Sequence, residues 1–251
     1  MSKKEAAIAP VEQPIGAPLT LSPEMAAMFA AASKENLAHV NDAFYRLSIQ
    51  GARYKVEGKL IGNEGIRFEA IIAQILPVNL FFKAKFDPAT PTPPDCFSYG
   101  GVTPDPSVAT KESDTCAGCP QNQYGSAKDE NGKAKKGKAC GNTHRLVLKV
   151  EGVELPVLLS LPPTSTKSFN QYLKQLTSLA GGVPYFAVKT EFAFDSGVQY
   201  PKPIMQGKSV ITDPAAVKEI LEYRASAPVL NAIKAFASGE EATTSSDPNV
   251  F

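Results

Sequence analysis

Hydrophobic and polar residues change period several times along the chain, and each change marks an element. Ser22-Pro23-Glu24 places a capping hydroxyl, a first-turn proline and an acid at the positive end of a helix dipole, which predicts a helix through about Leu37. From Phe44 the period becomes two. Tyr45, Leu47 and Ile49 share a face opposite Arg46, Ser48 and Gln50, while Tyr54 and Val56 oppose Arg53 and Lys55, with Gly51 at a bulge or bend between the two strands. Residues 66–76 and 80–86 are β-branched and aromatic enough for two more strands, with Pro77-Val78-Asn79 at the turn. Strands resume at 144–150 and 154–161 as a hairpin around Glu151-Gly152, and again around 185–194 and 203–211. Between these groups Phe169, Tyr172, Leu173, Leu176 and Leu179 recur at helical spacing over residues 165–179, and Gly181-Gly182 ends that helix. Asp213-Pro214 opens a last helix carrying Val217, Ile220, Leu221 and Tyr223, which Pro228 breaks before a second helical stretch to Phe236.

Residues 87–143 lose this periodicity, turn rich in Pro, Gly, Asp and Ser, and contain all four cysteines. An irregular segment this long inside a compact domain needs an organiser of its own. Residues 1–19 lack any period and are expected to form a mobile arm, residues 20–239 the folded body, and residues 240–251 an acidic flexible tail. Strand groups separated by one helix predict a mainly β chain with appended helices, an α+β arrangement. The element order fits an OB-fold-like barrel with an inserted zinc-binding loop at 87–143.

Composition narrows the readings further. The formal net charge of +1 argues against holding a polyanion by bulk charge. Glu240, Glu241 and Asp247 sit in a tail without Lys or Arg, which leaves the body mildly basic. No apolar run approaches the ~20 residues that span a bilayer, and the N-terminus lacks a basic-then-apolar leader, so an intracellular protein without membrane contact is expected.

Cys116-Ala-Gly-Cys119-Pro is a tight turn that can aim two thiolates at one ion. Cys96 lies about twenty residues upstream and Cys140 about twenty downstream, so together they complete a tetrahedral zinc site. Four sulfur ligands leave no open position, which makes the zinc structural. The competing readings are free thiols, a redox pair at Cys116 and Cys119, or disulfides in an exported protein. His144 at a strand start is either a replacement for Cys140 or an ordinary histidine.

Lysines 128, 133, 135, 136 and 138 are interleaved with glycines just before Cys140, forming a basic finger suited to phosphates. In 80–86 the alternation groups Phe81, Lys83 and Lys85 on one face, where a ring stacks a base while ammonium groups neutralise the backbone. Arg53 with Lys55, and Arg145 with Lys149, repeat that basic face. A solvated loop and the wet side of a sheet are the ordinary alternatives. Asp247, Val250 and Phe251 form a tip that suits a partner's apolar pocket with a basic rim, or a frayed terminus. With two histidines, a closed metal site and no phosphate loop or nucleophile elbow, no catalytic constellation is predicted. Binding of single-stranded DNA is the leading reading. A zinc-containing adaptor that contacts a polymerase or replisome component is its rival.

The stretches PPDCFSYGGVTPDPSV, CAGCPQNQYGSAKDENGKAKKGKAC and HRLVLKV carry a resemblance. They are similar to those of bacteriophage single-stranded DNA-binding proteins that embed a four-cysteine zinc loop in an oligonucleotide-binding barrel. The likeness spans about residues 44–212 and is most specific over 93–150. It implies cooperative coating of exposed strands in phage replication or recombination, within the cytoplasm of the infected bacterium. It also implies Cys96, Cys116, Cys119 and Cys140 as the zinc ligands. The tail ending in Phe251 resembles the tip by which bacterial single-strand binding proteins recruit partners, which implies replication or recombination proteins as its targets.

Overall fold

The computed structural model describes residues 22–38, 44–84, 92–129, 131–179 and 181–238. The chain divides into two compact units, Met1–Asn41 and Asp42–Phe251. In the first, helix α1 (Pro23–Ala38) starts where the capping signal places it: the Ser22 hydroxyl accepts from the Met25 N–H at 3.3 Å. Met25, Met28 and Phe29 of this helix are exposed.

The second unit is mainly β, a strongly curled half-barrel sheet with a few helices. Its nine strands are β1 (Tyr45–Ile49), β2 (Tyr54–Val56), β3 (Lys59–Leu60), β4 (Phe68–Phe81), β5 (Cys96–Tyr99), β6 (Gly141–Val150), β7 (Val157–Ser160), β8 (Val188–Phe194) and β9 (Pro203–Val210). They run in the order β3-β2-β1-β7-β6-β4-β8-β9, with β5 added beside β4. Every pairing is antiparallel except that of β1 with β7. Helix α2 (Thr166–Ser178) lies in the concavity, and α3 (Pro214–Ala225) and α4 (Ala227–Ser238) follow the last strand.

Alternation fills the concave face. Leu47, Tyr54, Val56, Ile72, Leu146, Leu148, Leu159 and Phe192 project into one core, which Phe169, Tyr172 and Leu176 of α2 close. Burying each such side chain contributes about 1.5–3 kcal/mol. The two buried tyrosines keep their hydroxyls satisfied: Tyr54 donates to the Ala193 carbonyl at 3.0 Å, and the Tyr172 and Thr190 hydroxyls share a 2.6 Å hydrogen bond. On the convex side Ala73, Val147 and Leu158 pack against Val229 and Ala232 of α4. A bulge in β4 sets Ile72 opposite Leu148 and Gln74 opposite Val147, so Ala73 is the extra residue.

Two expectations are corrected here. Residues 66–76 and 80–86 are not strands joined by a turn at Pro77; β4 runs unbroken for 14 residues through it. Pro77 lies opposite His144, and its carbonyl accepts from Gly100 N–H on the β5 side, where its missing N–H also points. The proline therefore costs no bond to β6, and on the β5 side it falls just past the last β4–β5 pair, Val78↔Tyr99. The strand also stops at Phe81, so the two-residue alternation does not continue through Lys83. The segment 87–143 is not structureless either, since it contributes β5, which pairs with β4 from Phe81↔Cys96 to Val78↔Tyr99. At the far end Asp213 caps α3 by accepting from Ala216 N–H at 3.0 Å, and Pro228 stands inside the first turn of α4. Among the described residues no helix is long and apolar enough to cross a membrane.

Candidate nucleic-acid interface and thiol cluster

The four cysteines reach one place from three directions. Cys96 comes from β5, Cys116 and Cys119 from the turn at 115–119, and Cys140 from the residue before β6. All four line a cavity of about 20 Å³, together with Asn79, Phe81, Ser98 and Asn122. Backbone bonds hold the turn: Cys116 N–H donates to the Val102 carbonyl at 2.9 Å, and Cys140 N–H to the Gln121 carbonyl at 2.8 Å. Asn122 Nδ2 donates to the Cys116 carbonyl at 2.7 Å, and Gln123 Nε2 spans the carbonyls of Ala117 and Cys119. Cys116, Cys119 and Cys140 are buried, and none of the four is in a disulfide. Burial pushes the Cys140 thiol up to about 12, and the neighbouring Cys119, Cys116 and Cys96 push it the same way. Among the described residues no three His, Cys, Asp or Glu side chains already form a metal cage. What the fold supplies is four cysteines lining one small cavity.

Strand alternation in β5 sends Cys96 and Ser98 toward the cavity and Tyr99 to the other face; Phe97 alternates with Tyr99 and also contributes to the cavity lining. The two rings are half-buried and 5.3 Å apart. The Arg145 guanidinium from β6 lies over the Tyr99 ring at 4.9 Å. This is a platform of two flat rings and one permanent cation on the convex side of the sheet.

The lysine-rich finger is a small hairpin. Lys128 bridges to Ala134, Asp129 N–H donates to the Lys133 carbonyl at 2.8 Å, and Lys135 N–H to the Ala127 carbonyl at 2.8 Å. Gly132 closes the turn at φ +76°, a conformation glycine adopts without strain. The Asp129 carboxylate is turned back on this loop and accepts from the N–H groups of Asn131 and Lys133. At its root Lys138 Nζ donates to Asn122 Oδ1 at 3.1 Å and Asn142 Oδ1 at 3.0 Å, while Asn142 donates onward to Asn79.

The residues expected to contact nucleic acid are therefore dispersed. Phe81 does not offer a stacking face, because it is 8% exposed and lines the thiol cavity. Lys83 lies beyond the end of β4, pairs with Glu112 at 3.0 Å, and donates its N–H to Asp95. Lys149 is not on an open basic face either: α3 covers it, with Glu219 paired to its ammonium and the Tyr223 ring 5.2 Å below. Arg53 ties the Glu64 carbonyl across the β3–β4 turn, and Lys55 donates to Gln50 at 3.1 Å, both near the β3 end of the sheet. Arg145 belongs to the platform. Lys135 and Lys136 are exposed on the finger, and Lys138 is engaged at its root. Lys85, Asp247, Val250 and Phe251 lie outside the described residues.

His144 stands apart from the cysteine cavity. Its ring meets Phe169 edge-on at 5.0 Å inside the core, its Nδ1 is buried without a hydrogen-bond partner, and burial lowers its pKa. Phe97 and Tyr99 were missed because residues 96–99 sit in a segment without longer periodicity, although Cys-Phe-Ser-Tyr alternates. In comparisons with protein-family models, with curated proteins and with solved structures, none matches the chain.

Proposed function

We propose that this chain binds single-stranded DNA irrespective of sequence, with Phe97, Tyr99 and Arg145 as the central contact. The supporting observation is two neighbouring half-exposed rings with a guanidinium on one of them. Base faces are covered in a duplex and open in a single strand, and each base stacked on a ring is worth about 1–3 kcal/mol. Arg145, Lys135 and Lys136 supply charge toward the phosphates. Stacking uses the flat face that every base has, so it does not select a sequence.

Cys96, Cys116, Cys119 and Cys140 are proposed to hold one structural zinc ion. The donor set fits: four thiols share one cavity, burial and the other three cysteines oppose ionisation of Cys140, and a divalent cation would offset that opposition. When bound, the ion would cross-link β5, the 115–119 turn and the start of β6 through these four residues. On the chain's side, Cys96 anchors the strand that carries the two rings, and the Asn122 and Gln123 amides hold the turn carbonyls. The curled sheet is read as an OB-like barrel in which this loop is inserted between β4 and β6. The biological setting proposed is protection of exposed strands in phage replication or recombination, with replication or recombination proteins as partners of the tail.

Fluorescence anisotropy of labelled strands at two ionic strengths tests the reading. Oligo(dT) and a mixed-sequence strand are expected to bind alike and more tightly than duplex DNA. Log affinity should fall with log salt by about 0.7 per neutralised phosphate. No binding of either strand in dilute buffer refutes it and favours the adaptor.

A further inference from the structure

The lysine finger carries a feature that phosphate binding leaves unused. Tyr124 is 75% exposed, the most exposed of the large hydrophobic side chains in the described residues. Its position is built: the next residue, Gly125, donates its N–H to the Gly137 carbonyl at 2.6 Å, which ties the backbone beside Tyr124 to the segment that follows the hairpin. Ser126 Oγ accepts from Ala139 N–H and donates toward the Gln121 and Gln123 carbonyls, fixing the segment on the other side. The exposed ring stands on a held backbone in a loop whose sequence has five lysines against Asp129 and Glu130, so a flat face and cationic groups are offered together.

The charges around it are available. Among the described residues no carboxylate lies within ion-pair distance of Lys128, Lys133, Lys135 or Lys136, and Asp129 is committed to the hairpin turn. Lys138 differs, since Asn122 and Asn142 hold it and Asn142 continues to Asn79, which pairs with Ser98 of β5. That polar chain roots the finger against the strand bearing Phe97 and Tyr99.

We infer that the finger is a second stacking subsite on the same single strand, in which Tyr124 takes one unpaired base and Lys135 and Lys136 take the flanking phosphates, while Lys138 positions the finger. This rests on the single-strand reading above and extends it to residues outside the β5 platform.

The test uses the full chain with two labelled strands of about 16 nucleotides, within the site sizes of such proteins. One is oligo(dT), and the other has the same sugar-phosphate backbone without bases. Tyr124→Ala is expected to weaken oligo(dT) binding by roughly five- to 150-fold, the range for one stacked base, with the salt slope unchanged. It should leave the abasic strand at wild-type affinity. Tyr124→Phe should keep wild-type affinity for both strands. Lys135→Ala with Lys136→Ala should weaken both strands and flatten the salt slope. If wild type binds oligo(dT) and Tyr124→Ala binds it equally well, or loses the abasic strand to the same degree, the subsite is wrong and the β5 reading stands. If wild type binds neither strand, both fall together.

Discussion

Replacing Phe97 by Leu separates ring stacking from bulk. Leucine keeps an apolar side chain of similar reach, so folding stability should change by less than about 1.5 kcal/mol. The flat face is lost, and with it about 1–3 kcal/mol of binding to an unpaired base. That corresponds to roughly a five- to 150-fold weaker complex with oligo(dT). No charge is removed, so the salt slope should stay at its wild-type value. Tyr99 stands 5.3 Å away, so if both rings belong to the proposed site the double variant Phe97→Leu, Tyr99→Leu should lose less than the sum of the single losses. Anisotropy titrations at two salt concentrations, with thermal melts as the stability control, measure all of these. A stable Phe97→Leu protein that binds oligo(dT) like wild type would remove β5 from the interface.

Three other outcomes follow from particular contacts. Cys116→Ser should abolish bound zinc in metal analysis and open residues 100–140 to protease, while the far-ultraviolet spectrum of the sheet persists. Lys149→Met should leave DNA affinity within about twofold, because α3 and Glu219 already occupy that ammonium; a large loss would show that α3 does not cover it in solution. His144 has a folded pKa below its ordinary 6.5, so the unfolded chain takes up the proton first as pH falls. Stability from keeping it neutral is complete above about 6.5 and is lost as pH drops from there through the lowered folded value. His144→Leu should therefore flatten the melting-temperature profile between pH 7 and pH 5, and cost little at pH 7 because it also removes an unpartnered buried nitrogen. An unchanged acid limb would contradict the assignment.

Local signals carried much of the fold. The Ser22 and Asp213 caps, the hairpin around Glu151-Gly152 and the Phe169-Tyr172-Leu176 stripe depend on residues close in sequence, and the structure has each of them, the hairpin's second strand beginning at Val157. Pro77 misled because its effect depends on which neighbour its nitrogen faces, and that is set by where β5 joins β4. Cys96 to Tyr99 is too short for its alternation to stand out, and β5 exists only through pairing with a strand already placed. The Cys-x-x-Cys turn with one cysteine on either side was legible from spacing, and in the structure all four line one cavity. The face open to a ligand was not legible. Lys149 and Arg145 share a strand and a face, yet α3 arrives from about seventy residues away to cover one, while Tyr99 of β5 meets the other. Phe81 was read as a surface ring and is instead part of the wall around the thiols.

The position of the strand itself is the most direct test. Oligonucleotides carrying 5-iodouracil, irradiated in complex with the full chain and mapped by mass spectrometry, report which side chains touch bases. Crosslinks are expected at Phe97 or Tyr99. Crosslinks confined to other strands, or none at saturating protein, would contradict the account.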